Sequence, residues 1–190
     1  MDQAAHFVFG YDETLAKNLH LKIEIYYQHL FNIPVEDSTN NSFSSVNEDL
    51  SFTPKQLTNK GVGRNYGAEL TIEKHYSKQY YFLITISIFD SKYKTLENKW
   101  RDTRYNINYV VNFVGGKEFK IGRASKNKVI GFNVRGSVTG GKRATPVDLQ
   151  QSIAAGYEVQ IKELAYSKQL ADYHRIDFST YLKWEKKNQS

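Results

Sequence analysis

The sequence has no cysteine, three prolines and one methionine in 190 residues. Without cysteine, neither a disulfide nor a thiolate metal site can staple the fold. Scarce proline beside 14 tyrosines, 11 phenylalanines and two tryptophans favours pleated, aromatic-rich structure. No apolar run approaches the ~20 residues of a membrane-spanning helix. The first residues, Met1 to His6, lack the basic and apolar regions of a secretory leader, so an exported form is expected to derive from a longer precursor. The net charge of +6 raises nucleic acid or an anionic surface as a partner. The basic residues are scattered, however, with small groups at 126–128 and 186–187. They read as solvated charge, and no nucleic-acid partner is expected.

What is present is alternation with a period of two, the mark of a strand with unlike faces. Seven segments carry it: 6–12, 19–31, 59–75, 80–90, 106–119, 129–142 and 172–186. In the second, Leu19, Leu21, Ile23, Ile25 and Tyr27 oppose His20, Lys22, Glu24, Tyr26 and Gln28. In the fourth, Phe82, Ile84, Ile86 and Ile88 oppose Thr85 and Ser87. No segment reads as a convincing helix. The connections alternate in length: short at 13–18, 76–79 and 121–127, long at 32–60, 91–105 and 143–171. In an up-and-down antiparallel meander, alternate connections share an end, so the long loops gather at one rim. Transmembrane barrels have this asymmetry. The segments also exceed the common strand of ~5–6 residues and suit the ~9–11 needed to cross a bilayer at a tilt. Aromatics near strand ends, among them Tyr27, Tyr80, Tyr173 and Trp184, fit interfacial girdles. A soluble barrel would turn the apolar parity inward and a membrane barrel outward; the pattern alone allows both.

The glycine cluster Gly61, Gly63, Gly67 tests a nucleotide reading. Its spacing is G-x-G-x-x-x-G, no Lys-Ser or Lys-Thr follows, and a strand pattern comes next. No helix N-terminus is there to meet a phosphate. The five histidines, His6, His20, His29, His75 and His174, lack the clustering of a metal site. Glu69 and Glu73 share a strand face about 13 Å apart, too far for a glycosidase pair. No catalytic residues, metal or cofactor are expected, and the chain is not read as an enzyme.

The block NKGVGRNYGAEL at 59–70 resembles the loop-to-strand signature of TonB-dependent outer-membrane receptors, roughly N-x-G-x-G-x-N-Y-G-x-E-L. The segments HFVFGY at 6–11, WRDTRYN at 100–106, NFVGGKEF at 112–119 and DYHRID at 172–177 are similar to the same receptors of Bacteroidetes type, in order along the chain. Ala171 departs from the proline common in the last of these.

The resemblance implies that residues 1–190 form an incomplete part of a 22-stranded transmembrane β-barrel, with the plug domain and closing strands absent. The loops 32–60, 91–105 and 143–171 would lie outside the cell. Gly61, Gly63 and Gly67 would let an outer loop enter its strand by positive φ or close backbone approach, with Gly67 marking a bulge or kink. Glu69, Arg135, Arg175 and Asp177 become candidates for a lumen-facing charge network, with Arg175 and Asp177 expected to pair. The implied partners are outer-membrane lipid, the TonB complex through a plug domain, and a nutrient that is a siderophore, cobalamin, glycan or peptide. A soluble β-barrel or β-sandwich binding module is the alternative, distinguished by which parity is buried from water.

Overall fold

The period-two segments become long antiparallel strands because β-branched and aromatic side chains suit a pleated surface. The computed structural model describes residues 2–48, 54–122 and 128–184. Its element order is β1 (Gln3–Ala16), β2 (Leu19–Glu36), β3 (Leu57–Ser77), β4 (Tyr80–Lys94), β5 (Trp100–Asp102), β6 (Tyr109–Ile121), β7 (Lys128–Thr139), β8 (Arg143–Ala144), α1 (Leu149–Ala155), β9 (Lys168–Gln169) and β10 (Tyr173–Trp184). The main sheet runs β1-β2-β3-β4-β6-β7-β10, an uninterrupted antiparallel meander, with the short β5 added to β4. The protein is all-β with a large antiparallel sheet, as the alternation implies. The sheet leaves β1 and β10 as edges. Among the described residues no helix is long and apolar enough to cross a membrane.

The strands run farther than the alternation marks them. β2 continues to Glu36 and β4 to Lys94, and β3 begins at Leu57, so the long connections are shorter than expected. β6, in contrast, starts only at Tyr109, because Asn108 takes a positive φ of 67° and breaks the extension. The third long connection is partly ordered into the β8–β9 ribbon and the helix α1. That helix corrects the all-strand expectation. Asp148 caps it by accepting from the Gln151 N–H at 3.0 Å, and Gly156 closes it at φ 75°. Asp before the first turn and Gly after the last are the usual helix punctuation.

The short turns at Lys17–Asn18 and Lys78–Gln79 lie at one end of the sheet. The third short turn falls mostly outside the described residues, as do the basic group at 186–187 and part of that at 126–128. At the opposite end the three long connections touch one another. Tyr93 Oη donates to Ser42 O at 2.7 Å, Arg104 N to the Asn47 carboxamide at 2.8 Å, and Arg143 N to Arg104 O at 3.1 Å.

Register aligns the apolar parity across every long strand. One row reads Tyr11, Ile23, Leu70, Ile86, Val111, Val138, and another Lys74, Phe82, Gly115, Val134, Phe178. This face is open. Phe9 is 70% exposed, Ile25 52% and Phe178 80%. The buried hydrophobic residues, Ile33, Val35, Tyr93 and Ala165, all sit at the loop end.

A bulge puts two of them there. Leu30 pairs with Gly63 and Ile33 with Gly61, so β2 spends one extra residue, and Asn32 takes φ 57°. A one-residue slip sends the following side chains to the other face. Ile33 and Val35 have the odd parity of exposed Ile23 and Ile25, yet end on the polar side at 2% and 0% exposure. Gly61 makes room for them: a Cβ there would fall 2.4 Å from Val35 Cγ1 and 2.9 Å from Ile33 O. None of Gly61, Gly63 and Gly67 has a positive φ, so close approach is their reason. Gly67 stays in unbroken register with Tyr26 and Phe89. The bulge expected at Gly67 therefore belongs to β2, near Asn32.

Candidate functional site

The polar parity forms the other face. Strand register places Glu69, Arg135, Arg175 and Asp177 on it together. Arg175 and Asp177 pair as expected, Nε donating to Oδ2 at 2.9 Å and to Oδ1 at 3.1 Å. Both lie on the edge strand β10, and Asp177 is the register partner of Arg135 on β7. Glu69 stands apart. It is on β3, separated from β7 by β4 and β6, about 14 Å at ~4.8 Å per strand. Its neighbours are Glu24, directly opposite on β2, and Ser87, whose hydroxyl lies 3.4 Å from its carboxylate.

The Glu24–Glu69 pair is the more informative contact. Like charges directly opposite one another destabilise a sheet; Lys22, 2.7 Å from Glu24, offsets one of the two. The carboxylates line a hollow of the polar face below the loops, with Gln28, Asn65, Tyr26 and Tyr105. A hydrogen-bond ladder stiffens its floor across three strands and into the connection after β5. Asn65 donates to Gln28 at 2.7 Å, Ser91 to Asn65 at 2.6 Å, and Thr103 to Ser91 at 2.9 Å. His6 meets the Tyr26 ring edge-on at 6.1 Å. Acidic, amide and aromatic groups suit a ligand that donates hydrogen bonds and offers a flat face; they repel an anion.

Tyrosines flatten the same face by lying over cross-strand glycines. A Cβ at Gly67 would fall 2.9 Å from Tyr26 Oη, one at Gly116 2.6 Å from Tyr81 Cε1, and one at Gly131 2.3 Å from Tyr181 Cζ. Ring-over-glycine pairs pin register.

At the strand ends the loops are tied together by a polar knot. Asn106 is fully buried, and its amide nitrogen donates to Asp90 and Asp102 at 2.8 Å each while its oxygen accepts from Ser91 N at 3.1 Å. Arg143 reaches Asn106 O at 3.1 Å, Asn108 Oδ1 at 2.7 Å and Asp102 at 3.5 Å. Tyr166, whose phenol is pushed up by burial and then by Glu48, meets Tyr93 at 6.2 Å. Asp172 accepts from Tyr109 Oη at 2.6 Å and Gly141 N at 3.1 Å, and these bonds hold its carboxyl below the usual range. Gly140 and Gly141 are required here, since a Cβ would lie 1.8 Å from Ile107 O and 1.9 Å from Leu170 O.

Two of the histidines meet a carboxylate. His20 lies 2.6 Å from Asp12 and His75 3.2 Å from Glu73. Each meets a single carboxylate, and among the described residues no group of three or more His, Asp and Glu side chains forms a metal site.

Comparison of the chain with protein-family models, curated proteins and solved structures finds no match. The site therefore rests on its geometry. Sequence spacing set Glu69 beside Glu73 on one strand, whereas register sets it against Glu24. The long-range signal was the matched i, i+2 polar parity of 19–31 and 59–75, which marks the shared face but not the partner.

Proposed function

We propose that this chain forms part of the wall and outer loops of a TonB-dependent outer-membrane receptor that takes up a nutrient. The observation that carries the reading is the exposed apolar face. A water-soluble sheet protein buries such a face, whereas here it stays open across all seven long strands of the main meander. Ile23, Ile86, Phe113 and Phe178 do not meet in a core; Phe178 is 80% exposed.

Dimensions support it. From Tyr80 to Asp90 on β4 is about 34 Å of strand at ~3.4 Å per residue. At a tilt of about 45°, that spans roughly 24 Å along the membrane normal, the height of the ~25 Å apolar band of membrane barrels. Polar or aromatic residues bound it at both ends. The long connections gathered at one rim are the second support, because recognition in such barrels belongs to the loop-bearing mouth. In this reading the polar face with Glu69, Arg135, Arg175 and Asp177 lines the lumen, further strands continue from β1 and β10, and uptake is driven through a TonB-coupled plug domain.

The test is fractionation of cells expressing the full-length protein that carries this chain. Recovery from the outer membrane only with detergent is the expected result. Release into the soluble fraction by buffer alone would reject it in favour of a soluble β-barrel or β-sandwich binding module.

A further inference from the structure

The short-turn end of the apolar face carries lysines, each held against an aromatic ring. Lys74 Nζ lies 4.3 Å from the Tyr80 ring centroid, Lys117 Nζ 5.1 Å from Phe119, and Lys128 Nζ 4.2 Å from Trp184. Register puts all three on the apolar parity: Lys74 opposite Phe82, Lys117 opposite Tyr80 and Phe132, and Lys128 opposite Ile121 and Trp184. Lys74 also donates to Ser77 Oγ at 2.6 Å. Among the described residues no carboxylate forms an ion pair with Lys117 or Lys128. Glu118, the β6 neighbour of Lys117, faces the opposite side and takes the hydroxyls of Tyr76 and Tyr181, as Glu73 lies on the polar parity of β3; Glu13, on the apolar parity of the edge strand β1, accepts from Tyr11. From β3 to β7 the belt is thus cationic on the side that carries the apolar band.

Immediately above Lys117 is an apolar hollow spanning β4, β6, β7 and β10. Phe82, Ile84, Phe113, Phe132, Val134 and Phe178 wall it, and Lys117 lines its turn end. It exists because Gly115 supplies no side chain in the row Phe82–Gly115–Val134–Phe178, and only the Phe113 ring leans over that gap.

We propose that this place binds one anionic phospholipid, with the headgroup phosphate at Lys117 and an acyl chain in the hollow. Lys74 and Lys128 supply positive potential on either side. The inference rests on the apolar face meeting lipid and adds a specific ligand to it. Charge and shape select the occupant together: a lysine beside a phosphate is worth about 1 kcal/mol at an anionic surface, and the hollow above it is walled mainly by apolar side chains. A peptide helix would leave Lys117 unpaired, and a free phosphate would leave the hollow empty.

The experiment uses the full-length protein extracted from membranes and exchanged into nanodiscs of stated composition. Retained lipid is read by native mass spectrometry. Phosphatidylglycerol should be retained at about one per chain, and diacylglycerol, which lacks the phosphate, should be washed out. Lys117→Gln should weaken retention about fivefold. Val134→Trp, which fills the hollow without touching the lysines, should do likewise while the thermal unfolding of the barrel stays unchanged. Equal retention of both lipids, indifferent to either substitution, would overturn the proposal and leave the lipid-facing wall standing. Recovery of the protein without membranes would overturn both.

Discussion

At the scale of single residues, two glycines of the same sheet are expected to respond oppositely to alanine. Gly61→Ala would drive a methyl within 2.4 Å of Val35 Cγ1, and overpacking of this kind costs about 1–3 kcal/mol. Gly136 has nothing within 4 Å of where its Cβ would stand, so Gly136→Ala should be neutral or stabilising by up to ~1 kcal/mol, since glycine weakens a strand interior. Chemical unfolding of the two variants in detergent checks the contrast. Asn106 is the corresponding polar keystone. Asn106→Ala removes the amide that separates Asp90 from Asp102 and orphans the Ser91 N–H. A loss of about 1–3 kcal/mol for each buried group left unsatisfied should show as faster amide exchange at Ser91. Asp172 supplies a pH dependence. Its folded carboxyl is depressed by the Tyr109 hydroxyl and the Gly141 N–H, so its contribution is complete above the unfolded value and fades as pH falls through the folded one. Below about pH 4, the ordinary aspartate range, the Gly141 amide should exchange faster. Asp172→Asn should abolish that acid response while keeping the neutral-pH structure.

At the scale of elements, the long strands were legible because their alternation is long and regular, and the meander followed from short turns such as Lys78–Gln79. What escaped has physical causes. Ile33 and Val35 continue the parity of Ile23 and Ile25 in the sequence; the bulge at Asn32 reverses their face, and no local composition announces it. Pro34, next to it, is tolerated because β1 stops pairing at Phe31 and no ladder bond is asked of it from that side. The helix α1 escaped because it is a seven-residue element inside a β-patterned chain, although Asp148 and Gly156 mark its ends. In the polar site, the Arg175–Asp177 contact was readable from i, i+2 spacing on one strand. The Glu24–Glu69 pair was not, since it depends on the register between β2 and β3, which spacing along one strand does not fix. Shifting that register is testable: Gly67→Val would push against Tyr26, Phe89 and the Ile88 carbonyl and should destabilise the β2–β3–β4 segment by roughly 1–3 kcal/mol, read as lost protection of its amides.

At the scale of the whole molecule, one side is hydrocarbon-like, the other polar, and both lateral edges present unpaired backbone groups. Such edges recruit further strands, and lipid does not solvate them. Expressed alone in water, the 190-residue chain is therefore expected to self-associate, which sedimentation velocity would register. A monodisperse, cooperatively unfolding monomer would instead support the soluble module. The sealed residues Ile33, Val35, Tyr93, Asn47 and Asn106 lie at the loop ends of β2 and β4 and in the connections there rather than along the length of the sheet, and this inverts the usual order of vulnerability. A protease offered the isolated chain should nibble the lateral ribbons β1 and β10 first and spare the knotted connections, so the mouth outlasts the wall that carries it.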